Sequence, residues 1–264
     1  MTCPVFIGGA PRSGLTFLRL LLDAHPSISC GPDTGHVALT MTAKNFEETL
    51  GGLHRDHFLL EPEAVRMNFA HAVSAPMNKR AKTLGKRRWA DKTAFNVLVF
   101  EQLARLFPTA QFIHVVRDGR DLAASLLERG WRSPTGVLFD QCASPAGAAR
   151  YWAQLVSLGL KTEDDPALAG RILRVRYEDL CERPEKAVRA VCDFLSEEFE
   201  PGMLRLEMRN QALAGMELDT PDRLRRPVNM EAVGRWRRDL RREDAATIRK
   251  AYAPIFDKLG YSRE

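Results

Sequence analysis

Residues 5–23 restrict what this chain can fold into more than any other stretch. Val5-Phe6-Ile7 is a short apolar run with β-branched members, closed by Gly8 and Gly9, and it predicts a buried strand with its exit turn. Beyond the turn, Phe17, Leu18, Leu20, Leu21 and Leu22 predict an apolar helix with no breaker before Pro26. A strand, a glycine turn and a helix start aim unpaired backbone N–H groups at one point, a geometry that holds a phosphate or a sulfate. The spacing adds specificity. Gly9, four residues, Gly14, Leu15 and Thr16 follow the phosphate-loop pattern G-x-x-x-x-G-K-[ST], with leucine in the lysine position. A loop that moves a γ-phosphoryl group needs that lysine on the β- and γ-phosphates. This loop offers a basic residue three positions earlier, in Pro11-Arg12-Ser13-Gly14. An ordinary glycine turn is the plainer alternative on this stretch alone.

The same arrangement recurs. Gln111-Phe112-Ile113-His114-Val115-Val116 is the most strand-like run, and it empties into Arg117-Asp118-Gly119-Arg120-Asp121 ahead of a helix with Leu122, Ser125, Leu126 and Leu127. A second loop therefore lies at the carboxyl end of a parallel strand, where open α/β sheets bind ligands, and Arg117 and Ser125 can reach one anion. Trp89-Ala90-Asp91-Lys92-Thr93 reads as a strand end running into a helix from Ala94 to about Phe107. Lys92 is disfavoured electrostatically at a helix start, which makes it a candidate for stabilising charge that develops in a reaction. The cluster Cys30-Gly31-Pro32-Asp33-Thr34-Gly35-His36 predicts a turn carrying two candidate bases. Asp33 is a weak base at an ordinary carboxylate pKa near ~4, whereas His36 titrates closer to neutrality. Further elements are a helix over 146–160, a strand over 171–176 leading to Tyr177, a helix over 185–195 and a last helix over 243–256. Residues 40–88 are the least regular, with short helices near 46–50 and 62–73. The basic run Lys79, Arg80, Lys82, Lys86, Arg87 and Arg88 that follows is either a solvated face or part of an acceptor-binding insert.

Charge and composition narrow the classes. At 264 residues the chain has the length of one α/β domain, and 39 Lys and Arg against 34 Asp and Glu leave a mild +5. No stretch interleaves basic and aromatic residues as a single-strand nucleic-acid binder does, so nucleic acid is not an expected partner. No run approaches ~18 apolar residues, so no membrane span is expected. The first strand begins near Pro4, leaving no room for a leader, and five scattered cysteines without a C-x-x-C suggest reduced thiols; a cytoplasmic location is the expectation. No cluster of ligands suggests a metal. Oligomeric state is left open.

Pro11-Arg12-Ser13-Gly14-Leu15-Thr16 with Leu22-Asp23-Ala24-His25-Pro26 resembles the 5′-phosphosulfate loop of the sulfotransferases that use 3′-phosphoadenosine 5′-phosphosulfate (PAPS), and most closely the tyrosylprotein branch. The resemblance runs from residue 5 to about 261. It implies a P-loop-like three-layer α/β/α sandwich with a central parallel sheet, a single domain over 1–264, an acceptor-binding helical insert over 40–88 and a lid loop over 222–240. It implies that Arg12, Ser13, Gly14, Leu15 and Thr16 hold the 5′-phosphosulfate and that Arg117 and Ser125 hold the 3′-phosphate. Lys92, matching the lysine of an Asn-Lys-Asp motif, would neutralise the leaving oxygen, and Asp33, where the branch has glutamate, would take the acceptor proton. The resemblance also implies that Tyr177 is near the adenine, with a packed tyrosine whose hydroxyl is bonded as the alternative, and that Arg226 and Asn229 of Arg226-Pro227-Val228-Asn229-Met230 belong to the lid. The reaction implied is in-line transfer of sulfonate from PAPS to a hydroxyl or amine, leaving 3′-phosphoadenosine 5′-phosphate (PAP), without metal. Three departures stand out. The branch has a cysteine at Ala90, a serine at Gly234, and arginines that read acidic peptides at Gly35 and Leu39. The last points to a small, fairly apolar alcohol or phenol as acceptor, with a tyrosylprotein or peptide acceptor as the alternative. A P-loop kinase and a silent nucleotide-binding protein are the remaining readings.

Overall fold

A computed structural model describes residues 3–52, 61–205 and 230–261. Five strands, β1 (Val5–Gly9), β2 (Ile28–Gly31), β3 (Arg88–Lys92), β4 (Gln111–Val116) and β5 (Ile172–Arg176), form one sheet in the order β2-β3-β1-β4-β5. Every pairing is parallel, with Ile7 opposite Lys92 and Ile113, and Gly31 opposite Asp91.

Strand alternation sorts the apolar side chains onto two faces. On one face, Val5, Ile7, Ile113, Val115 and Val175 pack with α1 (Leu15–Asp23). On the other, Phe6, Phe112 and Val116 pack with a second group of helices, and the Phe6 ring lies 5.5 Å from that of Trp89 and 5.2 Å from that of Phe107. The remaining helices are α2 (Val37–Gly52), α3 (Pro62–Thr83), α4 (Phe100–Leu106), α5 (Gly119–Arg129), α6 (Asp140–Ala143) and α7 (Pro145–Glu163). After β5 come α8 (Tyr177–Glu182), α9 (Pro184–Leu195), α10 (Trp236–Asp239), α11 (Arg242–Ala251) and α12 (Ala253–Leu259). Val188, Val191 and Leu195 of α9 share the first face with α1, whereas α4, α5, α7, α11 and α12 cover the second, so the three-layer α/β/α sandwich expected from the sequence is the fold observed. Trp152 of α7 is fully buried at the centre of that second layer.

The chain leaves β1 toward one face, through α1, and leaves β3 toward the other, through α4. Connections that diverge from neighbouring parallel strands open a crevice at their carboxyl ends. The candidate residues gather there.

Several elements differ from the sequence reading. The four-residue strand β2 occupies the start of what reads as a turn cluster, because Gly31 and Pro32 truncate its apolar run. Helix α2 extends over the whole of 37–52 rather than 46–50, and α3 runs on through the basic stretch to Thr83. Residues 94–107 are a 3-10 turn (Ala94–Leu98) followed by α4, broken at Val99, whose φ of −130° is not helical. Pro254, lacking an N–H, separates α11 from α12 where one helix was expected.

Part of the basic run has a structural role that the sequence reading did not include. Arg80 donates to both Asp23 oxygens at 3.1 and 3.0 Å and also to Ser29 Oγ, while Lys86 donates to the carbonyls of Asp23 (2.6 Å) and Ile28 (2.8 Å). Arg87 pairs with Glu197 at 2.8 Å and Arg88 donates to the Leu195 carbonyl at 2.7 Å. Arg80 and Lys86 fasten the end of α3 to α1 and the β2 edge, and Arg87 and Arg88 fasten the start of β3 to the end of α9. Lys79 and Lys82 are solvated on their own helix face, and the Arg87 side chain is largely exposed despite its ion pair.

Candidate active site

The turn after β1 departs from ordinary backbone twice. Arg12 has φ +75° and Gly14 has φ +89°, both left-handed. Glycine is required at 14 for a second reason: a Cβ there would lie 2.2 Å from Cδ2 of Tyr177. Two left-handed residues roll the chain so that α1 begins at Leu15 with no side-chain cap and no acidic residue in its first turn. The positive end of the helix is thus uncovered and faces the loop. Leu15 itself is 5% exposed and packs in the core, so the lysine position of the phosphate-loop pattern contributes packing and no charge.

Arg12, Arg117, Ser125 and Tyr177 come together around this turn. Arg12 Nε donates to Ser125 Oγ at 3.1 Å. Arg117, at the end of β4, donates to the carbonyls of Arg12 (2.8 Å) and Ala232 (2.5 Å), and its guanidinium lies 4.6 Å from the centre of the Tyr177 ring. Its own carbonyl accepts from Trp152 Nε1 at 3.0 Å. The residues that hold this cluster were not singled out in the sequence. Asp118 caps α5 and grips the Arg120 guanidinium, while its N–H donates to Glu178, whose other oxygen accepts from the Tyr261 hydroxyl at 3.0 Å. Burial, against the pull of the Asp118 N–H, pushes the Glu178 carboxyl up, and burial beside Glu178 pushes the Tyr261 phenol well above its ordinary value. Asp121 accepts from the N–H groups of Gly234 (2.7 Å) and Trp236 (2.9 Å), which docks the start of the C-terminal segment onto α5. Its carboxyl is pushed up by burial, which outweighs the Arg117 charge. The Asp118 and Asp121 spacing inside Arg117-Asp118-Gly119-Arg120-Asp121 was the signal available for both.

Across the crevice, Lys92 ends β3 and is 6% exposed, and its Nζ forms an ion pair with Asp33 Oδ1. Asp33 is half exposed, so the carboxylate faces solvent with the ammonium behind it. His36, the other candidate base, is 6% exposed; its Nε2 is 2.9 Å from Asp91 Oδ2 and its Nδ1 3.2 Å from Thr40 Oγ1. Both ring nitrogens are engaged inside the fold, so the geometry favours Asp33 over His36 as the group that meets an acceptor. Arg226 and Asn229 lie outside the described residues.

Three buried polar atoms at the ends of β1, β3 and β4 have no hydrogen-bond partner among the described residues: Ser13 Oγ, Thr93 Oγ1 and Arg117 Nε. Buried polar atoms are normally paired, so a ligand bearing anionic oxygens fits the cradle better than water-excluded apolar matter does. The site holds two anchoring points for such a ligand, the turn with α1 and Lys92 on one side and Arg117 with Ser125 on the other. Among the described residues no group of His, Cys, Asp or Glu could hold a metal ion, and no helix is long and apolar enough to cross a membrane.

A family model described as the sulfotransferase family matches residues 4–201. Protein-tyrosine sulfotransferase 1 of Danio rerio is 30% identical over 273 residues, covering 97% of this chain and 72% of the relative. Among solved structures, a sulfotransferase domain from the curacin biosynthetic pathway superposes with a TM-score of 0.67 at 18% identity, covering 100% of this chain and 99% of the other. The mouse sulfotransferase SULT7A1 complexed with PAP superposes with a TM-score of 0.54 at 15% identity, covering 97% and 84%. These two likenesses speak to the fold. With a family model over most of its length and the Danio rerio relative spanning 97% of it, the chain belongs to the sulfotransferase family.

Proposed function

We propose that this protein transfers the sulfonate group of PAPS to the phenolic oxygen of a tyrosine in a protein or peptide, releasing PAP. The observation that carries the transfer chemistry is the ion pair of Lys92 and Asp33 beside the uncapped start of α1. In this reading the amides of residues 13–16 and the Arg12 side chain bind the 5′-phosphosulfate, and Arg117 with Ser125 binds the 3′-phosphate. Lys92 donates to the oxygen that bridges sulfur and phosphorus, where negative charge grows as the S–O bond breaks. Asp33 accepts the phenolic proton while the acceptor oxygen bonds to sulfur in line with the leaving oxygen. The Lys92 ammonium is shared between the two roles: held by Asp33 before reaction, it is free to follow the leaving oxygen once Asp33 is protonated.

The acceptor reading rests on the relatives. Those named protein-tyrosine sulfotransferases align over 97% of the chain, which supports tyrosine over the small alcohol suggested by the sequence. The departures at Gly35 and Leu39 still bear on which tyrosines are taken. Nothing lies within 4 Å of a Cβ built on Gly35, and Leu39 packs against the core, so neither position reads an acidic flank. The test is transfer of labelled sulfonate from PAPS to three acceptors in parallel: a tyrosine peptide with acidic flanks, one with neutral flanks, and 4-nitrophenol. Both peptides should be labelled, with rates within about tenfold of each other, the span one lost charge-assisted contact allows. Labelling of 4-nitrophenol with neither peptide would overturn the acceptor reading.

A further inference from the structure

The carboxylate of Asp91 sits one residue before Lys92, is 1% exposed, and collects three side chains. Its Oδ1 accepts from Thr34 Oγ1 at 2.9 Å; its Oδ2 meets His36 Nε2 at 2.9 Å and accepts from Asn96 Nδ2 at 2.8 Å. Asn96 also donates to the Ile7 carbonyl at 3.1 Å, so the far side of the cluster is tied to β1. Thr34 lies in the loop that carries Asp33 and His36 closes it; residues 32–35 are exposed and outside any regular element. Where the resembled motif reads Asn-Lys-Asp, this chain reads Asp91-Lys92-Thr93.

We propose that Asp91 is a positioning residue that lashes the Asp33 loop to the strand bearing Lys92 and so sets the carboxylate against the ammonium. The geometry needs an acid. Three donors converge on two oxygens, whereas an asparagine would present one oxygen and an NH₂ group to the same donors. Burial raises the Asp91 carboxyl, but the His36 hydrogen bond and charge, with Asn96 and Thr34, outweigh it and hold it below its ordinary value. It therefore stays ionised at neutral pH and keeps accepting from all three. Because Thr34 and His36 stand on either side of Gly35, two struts fix a loop segment whose glycine would otherwise leave it loose.

The inference rests on the sulfonate-transfer reading for its kinetic arm but not for its structural one. Replacing Asp91 by Ala would leave buried donors unpaired and risks misfolding, so the informative variant is Thr34→Val at an exposed position, with Thr34→Ser as rescue and Asp91→Asn as the charge test. Hydrogen exchange at the Thr40 amide, which donates to the His36 carbonyl at 2.8 Å, should speed up by about fivefold in Thr34→Val, the factor for one net hydrogen bond, and return in Thr34→Ser. The kcat for peptide sulfonation should fall by about tenfold or more in Thr34→Val and Asp91→Asn, as misplacement of a reacting group by under ~1 Å produces, with the Kd for PAP within about twofold of wild type. Thr34→Ser should restore it. Unchanged exchange in Thr34→Val and Asp91→Asn would overturn the tether. So would faster exchange with kcat intact. A wild-type protein that sulfonates nothing would instead sink the functional reading, while exchange still decides the tether.

Discussion

Arg117 offers the sharpest perturbation of the site, because the residue is 3% exposed and its contacts are defined. Truncation to alanine removes the donors to the Arg12 and Ala232 carbonyls and the stacking on Tyr177. Two part-buried carbonyls left unpaired cost at most about 1–3 kcal/mol each, and a cation–π contact up to about 2. The sum, roughly 2–8 kcal/mol, is a large part of the ~5–15 kcal/mol that holds a domain folded, so Arg117→Ala is expected to lose much of its stability. Arg117→Lys is the better probe. It keeps the charge but has a single ammonium that cannot serve both carbonyls and lie flat on the ring. If Arg117 with Ser125 reads the 3′-phosphate, the variant should bind AMP as wild type does. Its preference for PAP over AMP should shrink by about 10–100-fold, the worth of one charge-assisted pair of about 1.5–3 kcal/mol. The assay is calorimetric titration of the folded variant with PAP and with AMP. A PAP-to-AMP ratio equal to that of wild type would refute the assignment of Arg117 to the 3′-phosphate.

Lys92→Ala should lower kcat for sulfonation by about 10²–10³, as removing a donor aimed at developing charge does, while PAP binding measured by calorimetry weakens less. Gly14→Ala should destabilise by roughly 2–5 kcal/mol, combining left-handed strain with an overlap on Tyr177, and Gly14→Ala with Tyr177→Ala should lose less than the sum in a urea-denaturation cycle. Burial raises the Asp23 carboxyl, but hydrogen bonds from Arg80 and the Cys30 N–H and the charges of Arg80 and Lys86 outweigh it and hold it below its ordinary value. Its contribution is therefore full above the unfolded value near ~3.9 and is lost as pH falls through the lower folded value; urea midpoints between about pH 2 and 7 should show that acid-side loss in wild type and a smaller one in Asp23→Asn.

Much of the site was legible because its signals are local. The turn at 9–16 announces itself by glycine spacing and an apolar run on either side, and Arg117 with Ser125 by a strand end and one to two helical turns. The basic run at 79–88 was not legible, since its partners, Asp23 and Glu197, lie 57 and 110 residues away, and nothing local distinguishes a cation that clamps a sheet edge from one that is solvated. Strand β2 was missed for a different reason. Four residues ending in glycine carry too little pattern, and the strand exists because β3 is there to pair with it.

Asp33 and His36 show the division most clearly. Their spacing in the chain qualifies both as bases, and residue chemistry alone prefers the histidine. What separates them is the register of β2 on β3, which sets Gly31 opposite Asp91 and thereby hangs the following loop over Lys92 and over the buried carboxylate next to it. The histidine turns inward to that carboxylate and Asp33 faces the lysine and solvent. The amino-acid order by itself determined the α/β class, the glycine turn after β1 and the candidate residues at the strand ends, because periodicity and turn chemistry act between near neighbours. Only the tertiary structure decided which side chains meet across the crevice, because strand pairing brings together residues far apart in sequence, and a carboxylate's role depends on whether burial gives it a histidine, an arginine or water.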